Sequence, residues 1–240
     1  MPKTPSVLVF LHYFGGSARS WRWVIEQLAD DYHCVTLNMP GFGGTPPLDS
    51  PSIRGIADYV RQETERLGLT AFTLLGHSMG GKIALAVAAD DVRQRVQQLV
   101  LIAPSPPTVE QMPDDEKERM LRHPDRSEAE TTVKNATFRP LSAERRALAV
   151  KTQLEIDEAT WRWWLLAGMN HSIADQVNQI DIPITVLASD DDPVIDPETI
   201  RQEVMKVLSK AQLIRTRGVG HLLPLEDPEW VAEQIRRVCP

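Results

Sequence analysis

Six short, β-rich apolar runs recur along the chain, at Ser6–Leu11, Cys34–Leu37, Phe72–Leu75, Leu99–Ile102, Ile184–Ala188 and Gln212–Thr216, and each is closed by Gly, Pro, Ser or Asp. Longer stretches of helical period separate them, at Ser20–Asp30, Ile53–Leu67, Met79–Asp90, Pro197–Leu208 and Pro228–Val238. Continuous apolar runs suit strands buried on both faces, and strands alternating with helices argue for βαβ units around a parallel sheet. The expected class is α/β, a doubly wound and mostly parallel sheet. Ser20 and Ser52 are candidate N-caps, because a hydroxyl there accepts a free N–H of the first turn. Pro197 and Pro228 suit first-turn positions, where no N–H is needed.

The alternation breaks once, between Pro106 and Asp181, where about 75 residues carry no strand-like run. Helical segments are expected there at Glu116–Arg122, Glu128–Ala136, Ser142–Leu154 and Glu158–Met169, broken at Pro113, Pro124 and Pro140. A right-handed crossover seldom needs so much chain. Residues 106–181 are therefore expected to form a helical cap, inserted after the fourth strand into a core domain of residues 1–105 and 182–240.

A chain of 240 residues buries a sizeable core without staples, so Cys34 and Cys239, its only cysteines, read as reduced thiols. The net charge is −7 and the Lys and Arg residues are scattered. No basic stripe is available to a phosphate backbone, and nucleic acid is not an expected partner. No window reaches the roughly 18 apolar residues that span a bilayer. The N-terminal residues lead into an apolar run too short for a secretory h-region. The expectation is a cytoplasmic monomer or homodimer with no membrane insertion.

Chemistry concentrates in Gly76-His77-Ser78-Met79-Gly80, set between an apolar run and a helical segment. A serine in a sharp strand-to-helix turn exposes its hydroxyl to a base, while the helix start aims free N–H groups at developing negative charge. The flanking glycines let strand and helix approach closely. The pentapeptide alone occurs often by chance; the strand before it and the helix after it make it specific. A serine is a poor nucleophile until a base takes its proton. Of six histidines, His221 follows the last strand in Arg217-Gly218-Val219-Gly220-His221, where parallel sheets gather ligands, whereas His33, His123 and His171 read as solvated or structural. An orienting acid is supplied by the run Asp190-Asp191-Asp192 after the fifth strand. That run lacks the alternating ligands, central glycine and distal Glu of a calcium loop. Serine, acid and histidine thus follow one known chain order.

These segments, with Leu11-His12-Tyr13-Phe14-Gly15-Gly16-Ser17 and Asn38-Met39-Pro40-Gly41-Phe42-Gly43-Gly44-Thr45, resemble the α/β-hydrolase superfamily over nearly the whole chain. The resemblance implies an α/β-hydrolase fold trimmed to six strands, with Ser6–Leu11 at the third strand of the full fold. It places Ser78, Asp192 and His221 in a catalytic triad, Asp192 by alignment of Pro193-Val194, with Ser189 where relatives carry glycine and Asp191 as the alternative acid. It assigns the oxyanion hole to the backbone N–H groups of Phe14 and Met79. Tyr13 stands where relatives usually have glycine, and its side chain either narrows the acyl pocket or offers a phenol hydrogen bond.

The cap resembles the helical lid of these hydrolases. Trp161, Trp163 and Trp164 are half of the six tryptophans, and the i, i+3 spacing puts Trp161 and Trp164 on one helix face. They either pin the cap to the sheet or roof an apolar substrate. The expected pocket residues are His12, Tyr13, His77, Phe138, Trp161, Trp164 and Leu165. The implied activity is a serine esterase acting on a small to medium, largely apolar ester, with no metal or organic cofactor. A serine at the elbow argues against dehalogenase and epoxide hydrolase chemistry, which needs aspartate. Two alternatives stand beside it. One is another reaction on the same triad, such as a C–C or hydroxynitrile lyase, thioesterase, lactonase or perhydrolase; the other is a non-catalytic ligand-binding receptor.

Overall fold

The computed structural model describes residues 5–239. The first four residues, part of the segment read for a leader peptide, lie outside the described residues. Six strands, Val7–Leu11 (β1), His33–Leu37 (β2), Phe72–His77 (β3), Val96–Ile102 (β4), Ile184–Ser189 (β5) and Gln212–Thr216 (β6), pair in the order β2-β1-β3-β4-β5-β6. Every pairing is parallel. All six apolar runs of the sequence are strands, with ends moved by three residues or fewer.

Helices cover both faces of the sheet. Successive strand residues point to opposite sides, so Val9 and Leu11 of β1 join one apolar cluster while Leu8 and Phe10 join another. The first cluster includes Ile53–Arg66 (α2) and Met79–Ala89 (α3), following Arg22–Leu28 (α1) in the chain. Ile53, Ile56, Ala57, Val60 and Thr64 form the buried face of α2, at helical spacing, and Ser52 caps it by accepting the Gly55 N–H at 3.0 Å. On the opposite face, Val24 and Leu28 of α1 share a cluster with Val231, Ala232 and Ile235. Ser20 is not the cap of α1. A 3₁₀ turn, Ala18–Trp21, precedes that helix; Ser17 caps the turn, and the Ser20 hydroxyl returns the favour by accepting the Ser17 N–H at 3.1 Å. Reciprocal capping thus begins one turn earlier than the apolar pattern indicated.

Between β4 and β5 lie Asp114–Met120 (α4), Arg126–Asn135 (α5), Ala143–Leu154 (α6), Glu158–Trp163 (α7) and Ala174–Val177 (α8). The helix expected to run to Met169 widens into a π-helical turn at Trp164–Gly168. Met120, Ile156, Trp161, Trp164 and Met169 share the apolar cluster that contains β1, β3 and α3, so these helices continue the core. After β5 come Pro197–Thr199 (α9), continued by a π-helical stretch Ile200–Met205, then β6, Leu223–Glu226 (α10) and Pro228–Val238 (α11). Pro197 and Pro228 occupy first-turn positions. No helix among the described residues is long and apolar enough to cross a membrane.

From β1 the chain first adds β2 on one side and later β3 on the other. The carboxyl ends of β1 and β3 therefore flank a topological switch point, where the loops diverge and leave a crevice.

Candidate active site

Ser78 alone joins β3 to α3, with φ 53° and ψ −119°. This left-handed backbone is strained for a residue with a Cβ and turns the side chain out of the strand direction. The neighbouring glycines are required by contact. A Cβ on Gly76 would sit 2.2 Å from the Gly80 carbonyl oxygen, and one on Gly80 would sit 2.6 Å from the carbonyl oxygens of Leu11 and His12.

The Ser78 hydroxyl lies 2.8 Å from His221 Nε2, and His221 Nδ1 lies 2.9 Å from Asp192 Oδ2. An ionised carboxylate only accepts, so Nδ1 carries the proton and Nε2 of the neutral ring accepts from the serine. All three residues are buried. Burial resists charging His221, but the charge and hydrogen bond of Asp192, with the nearby Glu110 and Glu226, together outweigh it and raise the imidazole above its ordinary value. A hydroxyl so placed has a ready proton acceptor, and the acceptor has a partner for the charge it gains.

The three aspartates after β5 separate by contact. Asp190 pairs with Arg215 and Arg217 on the surface. Asp191 Oδ2 accepts the Gly218 N–H at 2.7 Å, bracing the chain that leads to His221. Asp192 alone meets the imidazole, and its Oδ1 accepts the N–H groups of Val194 and Ile195 at 2.8 and 2.9 Å. The Ser189 hydroxyl donates to the Val219 carbonyl at 2.5 Å, adding a second brace to the same loop.

His12 and His77 act behind the crevice and do not line it. Nε2 of His12 accepts the Met39 N–H at 3.2 Å and its Nδ1–H donates to the Tyr13 carbonyl at 2.8 Å, so the ring is neutral; burial lowers its pKa to about 4. The Tyr13 carbonyl also accepts from Gly16 N–H. In a trans peptide the N–H points opposite the C=O. Fixing the Tyr13 carbonyl thus turns the Phe14 N–H the other way, and that N–H makes no hydrogen bond among the described residues. Met79 N–H, at the first position of α3, is likewise unpaired, while the Ser78 carbonyl is held by Gly81 and Ser105 N–H groups. His77 donates from Nε2 to the His221 carbonyl at 2.8 Å; burial, and His221 whenever that ring is protonated, push its pKa well below the ordinary value.

A cavity of about 430 Å³ opens on Ser78 and His221. Tyr13, Phe14, Trp161 and Trp164 form part of its wall. Phe14 stacks on Trp161 at 4.1 Å, and His123 stacks on the other face of that indole at 4.5 Å. The Tyr13 ring lies against Gly15 and Gly16, and its buried hydroxyl, near Thr152 and Ser20, makes no hydrogen bond among the described residues. Phe138 and Leu165 do not contribute to the wall. Phe138 is 58% exposed, whereas Leu165 follows the wall residue Trp164 in a helical turn, so it points to a different face and is wholly buried in the core.

Three charged groups near the crevice carry no sequence signal, since isolated Glu and Lys ordinarily read as surface residues. Glu226 accepts the Gly220 N–H at 2.9 Å and, through Oε2, the N–H groups of Phe138 and Arg139 at 3.0 and 3.1 Å. With the His221 N–H donating to the Ala136 carbonyl at 2.9 Å, it ties the histidine loop to the chain after α5. Lys82, fully buried, donates to the carbonyls of Thr108 and Met169 at 2.9 and 3.3 Å, and burial lowers its pKa to about 8. Glu110 forms part of the cavity wall. No group of three or more His, Cys, Asp or Glu side chains among the described residues is arranged to hold a metal ion.

A protein of Bacillus subtilis described as a candidate 2-succinyl-6-hydroxy-2,4-cyclohexadiene-1-carboxylate synthase is 26% identical over 249 residues, covering 95% of this chain and 88% of that protein. The dihydrolipoyllysine-residue acetyltransferase component of the acetoin cleaving system of Cupriavidus necator is 36% identical over 98 residues, 40% of this chain and only 26% of that protein. Among solved structures, the esterase of Exiguobacterium antarcticum superposes with a TM-score of 0.88 at 17% identity, over 98% of this chain and 92% of that one, a likeness of fold. The family model described as the alpha/beta hydrolase family matches residues 8–234. The chain belongs to the alpha/beta hydrolase family.

Proposed function

We propose that this protein is a serine hydrolase that cleaves a carboxylic ester, or a related acyl bond, of a small to medium and largely apolar substrate. The observation that carries this reading is the unbroken hydrogen-bond chain from Ser78 through His221 to Asp192, opening on a cavity walled in part by Phe14, Trp161 and Trp164. Ser78 Oγ attacks the acyl carbon while His221 Nε2 takes its proton, and Asp192 holds the imidazolium that results. The carbonyl oxygen becomes an oxyanion, stabilised by the N–H groups of Phe14 and Met79. His221 returns its proton to the departing alcohol, leaving an acyl group on Ser78. Water then enters, loses a proton to Nε2 and attacks the acyl carbon; collapse of the second tetrahedral intermediate releases the acid and restores Ser78. The segment 106–181 serves as the cap that walls the acyl or alcohol site with Trp161 and Trp164.

A synthase-like relative covering most of the chain gives a specific reason to keep one other reading, a non-hydrolytic reaction on the same residues. Labelling with a fluorophosphonate, wild type beside Ser78→Ala, together with a chain-length series of p-nitrophenyl esters, separates the two. The hydrolase reading expects labelling that requires Ser78 and turnover of at least the short esters. Ser78-dependent labelling with negligible ester turnover favours the non-hydrolytic reaction. No labelling contradicts both and favours a receptor.

A further inference from the structure

The cavity wall contains three carboxyl side chains, Glu110, Asp115 and Glu116, and no Lys or Arg. Glu116 is paired with Arg119, and Asp115 forms no ion pair among the described residues. Glu110 differs from both because it is buried, at 7% exposure, and forms no ion pair among the described residues. Its Oε2 is sealed from solvent beside the Ser105 hydroxyl, which leaves the other oxygen as the one the wall can present. Lys82, the buried cation of this region, gives its protons to the Thr108 and Met169 carbonyls and stands outside ion-pair distance of Glu110. The main chain of Glu110 is fixed by its N–H bond to the Met169 carbonyl at 2.9 Å. Burial pushes its pKa up, offset in part by the nearby Ser105 hydroxyl, by His221 when that ring is protonated, and by Lys82.

A carboxyl in a wall that holds no cation gains from a hydrogen-bond donor brought by a ligand. The group complementary to an unpaired carboxyl is a hydrogen-bond donor, and the group it rejects is another carboxylate. Resting on the hydrolase reading above, we infer that Glu110 is a specificity residue: the cavity takes esters whose acyl or alcohol part carries a hydroxyl or an ammonium group, and excludes those bearing a free carboxylate. Asp115 and Glu116 act in the same direction at the wall, and no cation there opposes them.

The test uses four fluorophosphonates of equal alkyl length that end in methyl, hydroxyl, primary ammonium or carboxylate, with the rate of Ser78 labelling as the readout. The hydroxyl and ammonium probes are expected to react at least about tenfold faster than the carboxylate probe, the scale of one hydrogen bond to a charged group. The faster of those two identifies the donor. In Glu110→Gln the ammonium-to-carboxylate ratio is expected to fall at least about tenfold, because the charge is lost while the shape is kept. Equal rates for all four probes, or an unchanged ratio in Glu110→Gln, overturn the inference and leave the hydrolase reading intact. Failure of every probe to label Ser78 overturns both.

Discussion

Asp192 shows how much one carboxylate is asked to do. One oxygen holds the Nδ1 proton of His221 and the other holds two backbone N–H groups, so its position is fixed from both sides. Asp192→Asn is expected to lower kcat by about ten-thousand-fold, the cost of losing the tautomer that presents Nε2 to the serine. Asp191→Asn, altering only a brace to Gly218, is expected to cost far less; the reverse ranking in ester kinetics contradicts the assignment. The proton balance gives a second test. Nε2 accepts only when the ring is neutral, and His221 is raised above its ordinary pKa of about 6.5. Activity is therefore lost as pH falls through that raised value, and a kcat/KM profile of Asp192→Asn should show the acid limb displaced to lower pH. An unmoved limb argues that Asp192 does not stabilise the imidazolium. The serine, the histidine and the acidic run were legible in the sequence because glycine, proline and strand ends punctuate them. Which aspartate faces the ring was not legible from spacing, since three consecutive residues diverge by rotamer and loop path; the Pro193-Val194 alignment supplied it.

Elements set the precision of this site through close backbone contact. β3 and α3 meet where Gly76 and Gly80 touch backbone, and β1 touches Gly80 as well. Gly80→Ala is expected to destabilise the fold by about 1–3 kcal/mol, because a Cβ there meets carbonyl oxygens that cannot move aside as a side chain would. Denaturant titration checks this, and unchanged stability would show that α3 can shift. The loop of His221 is held by β5 through Ser189 and Asp191, by β3 through His77, and by the chain after α5 through Ala136 and Glu226. Glu226→Ala strands three backbone N–H groups and is expected to lower both melting temperature and kcat, while Glu226→Gln, keeping one acceptor, loses less of each. Equal effects of the two variants would mean that the hydrogen bonds are not what matters. Strand positions were readable because apolar runs between breakers have few other fates. The cavity wall was not readable: Phe138 and Leu165 lie close in sequence to wall residues, but Phe138 is exposed and Leu165 packs into the core, a choice of face that depends on partners distant in the chain. Glu110, Lys82 and Glu226 were missed because burial of a charge depends on partners distant in the chain.

The whole molecule behaves as one packed body, in which the helices between β4 and β5 share an apolar cluster with the sheet. Three tryptophans lie in that segment and three in the remainder of the chain, so fluorescence and far-UV circular dichroism sample both. Their thermal transitions are expected to coincide; an earlier fluorescence change would show that the inserted helices melt alone. Trp161, stacked between Phe14 and His123, joins the two parts, and Trp161→Ala is expected to cost about 3–5 kcal/mol of stability. The central claim is that Ser78 carries an acyl group during turnover. Acid quenching of the wild-type protein during steady-state hydrolysis of p-nitrophenyl butyrate, followed by peptide mass analysis, tests it most directly. A butyryl group is expected on the peptide containing Ser78, and in Ser78→Ala it is absent together with turnover. Steady turnover with no acyl group on that serine, or turnover that survives its removal, would contradict it.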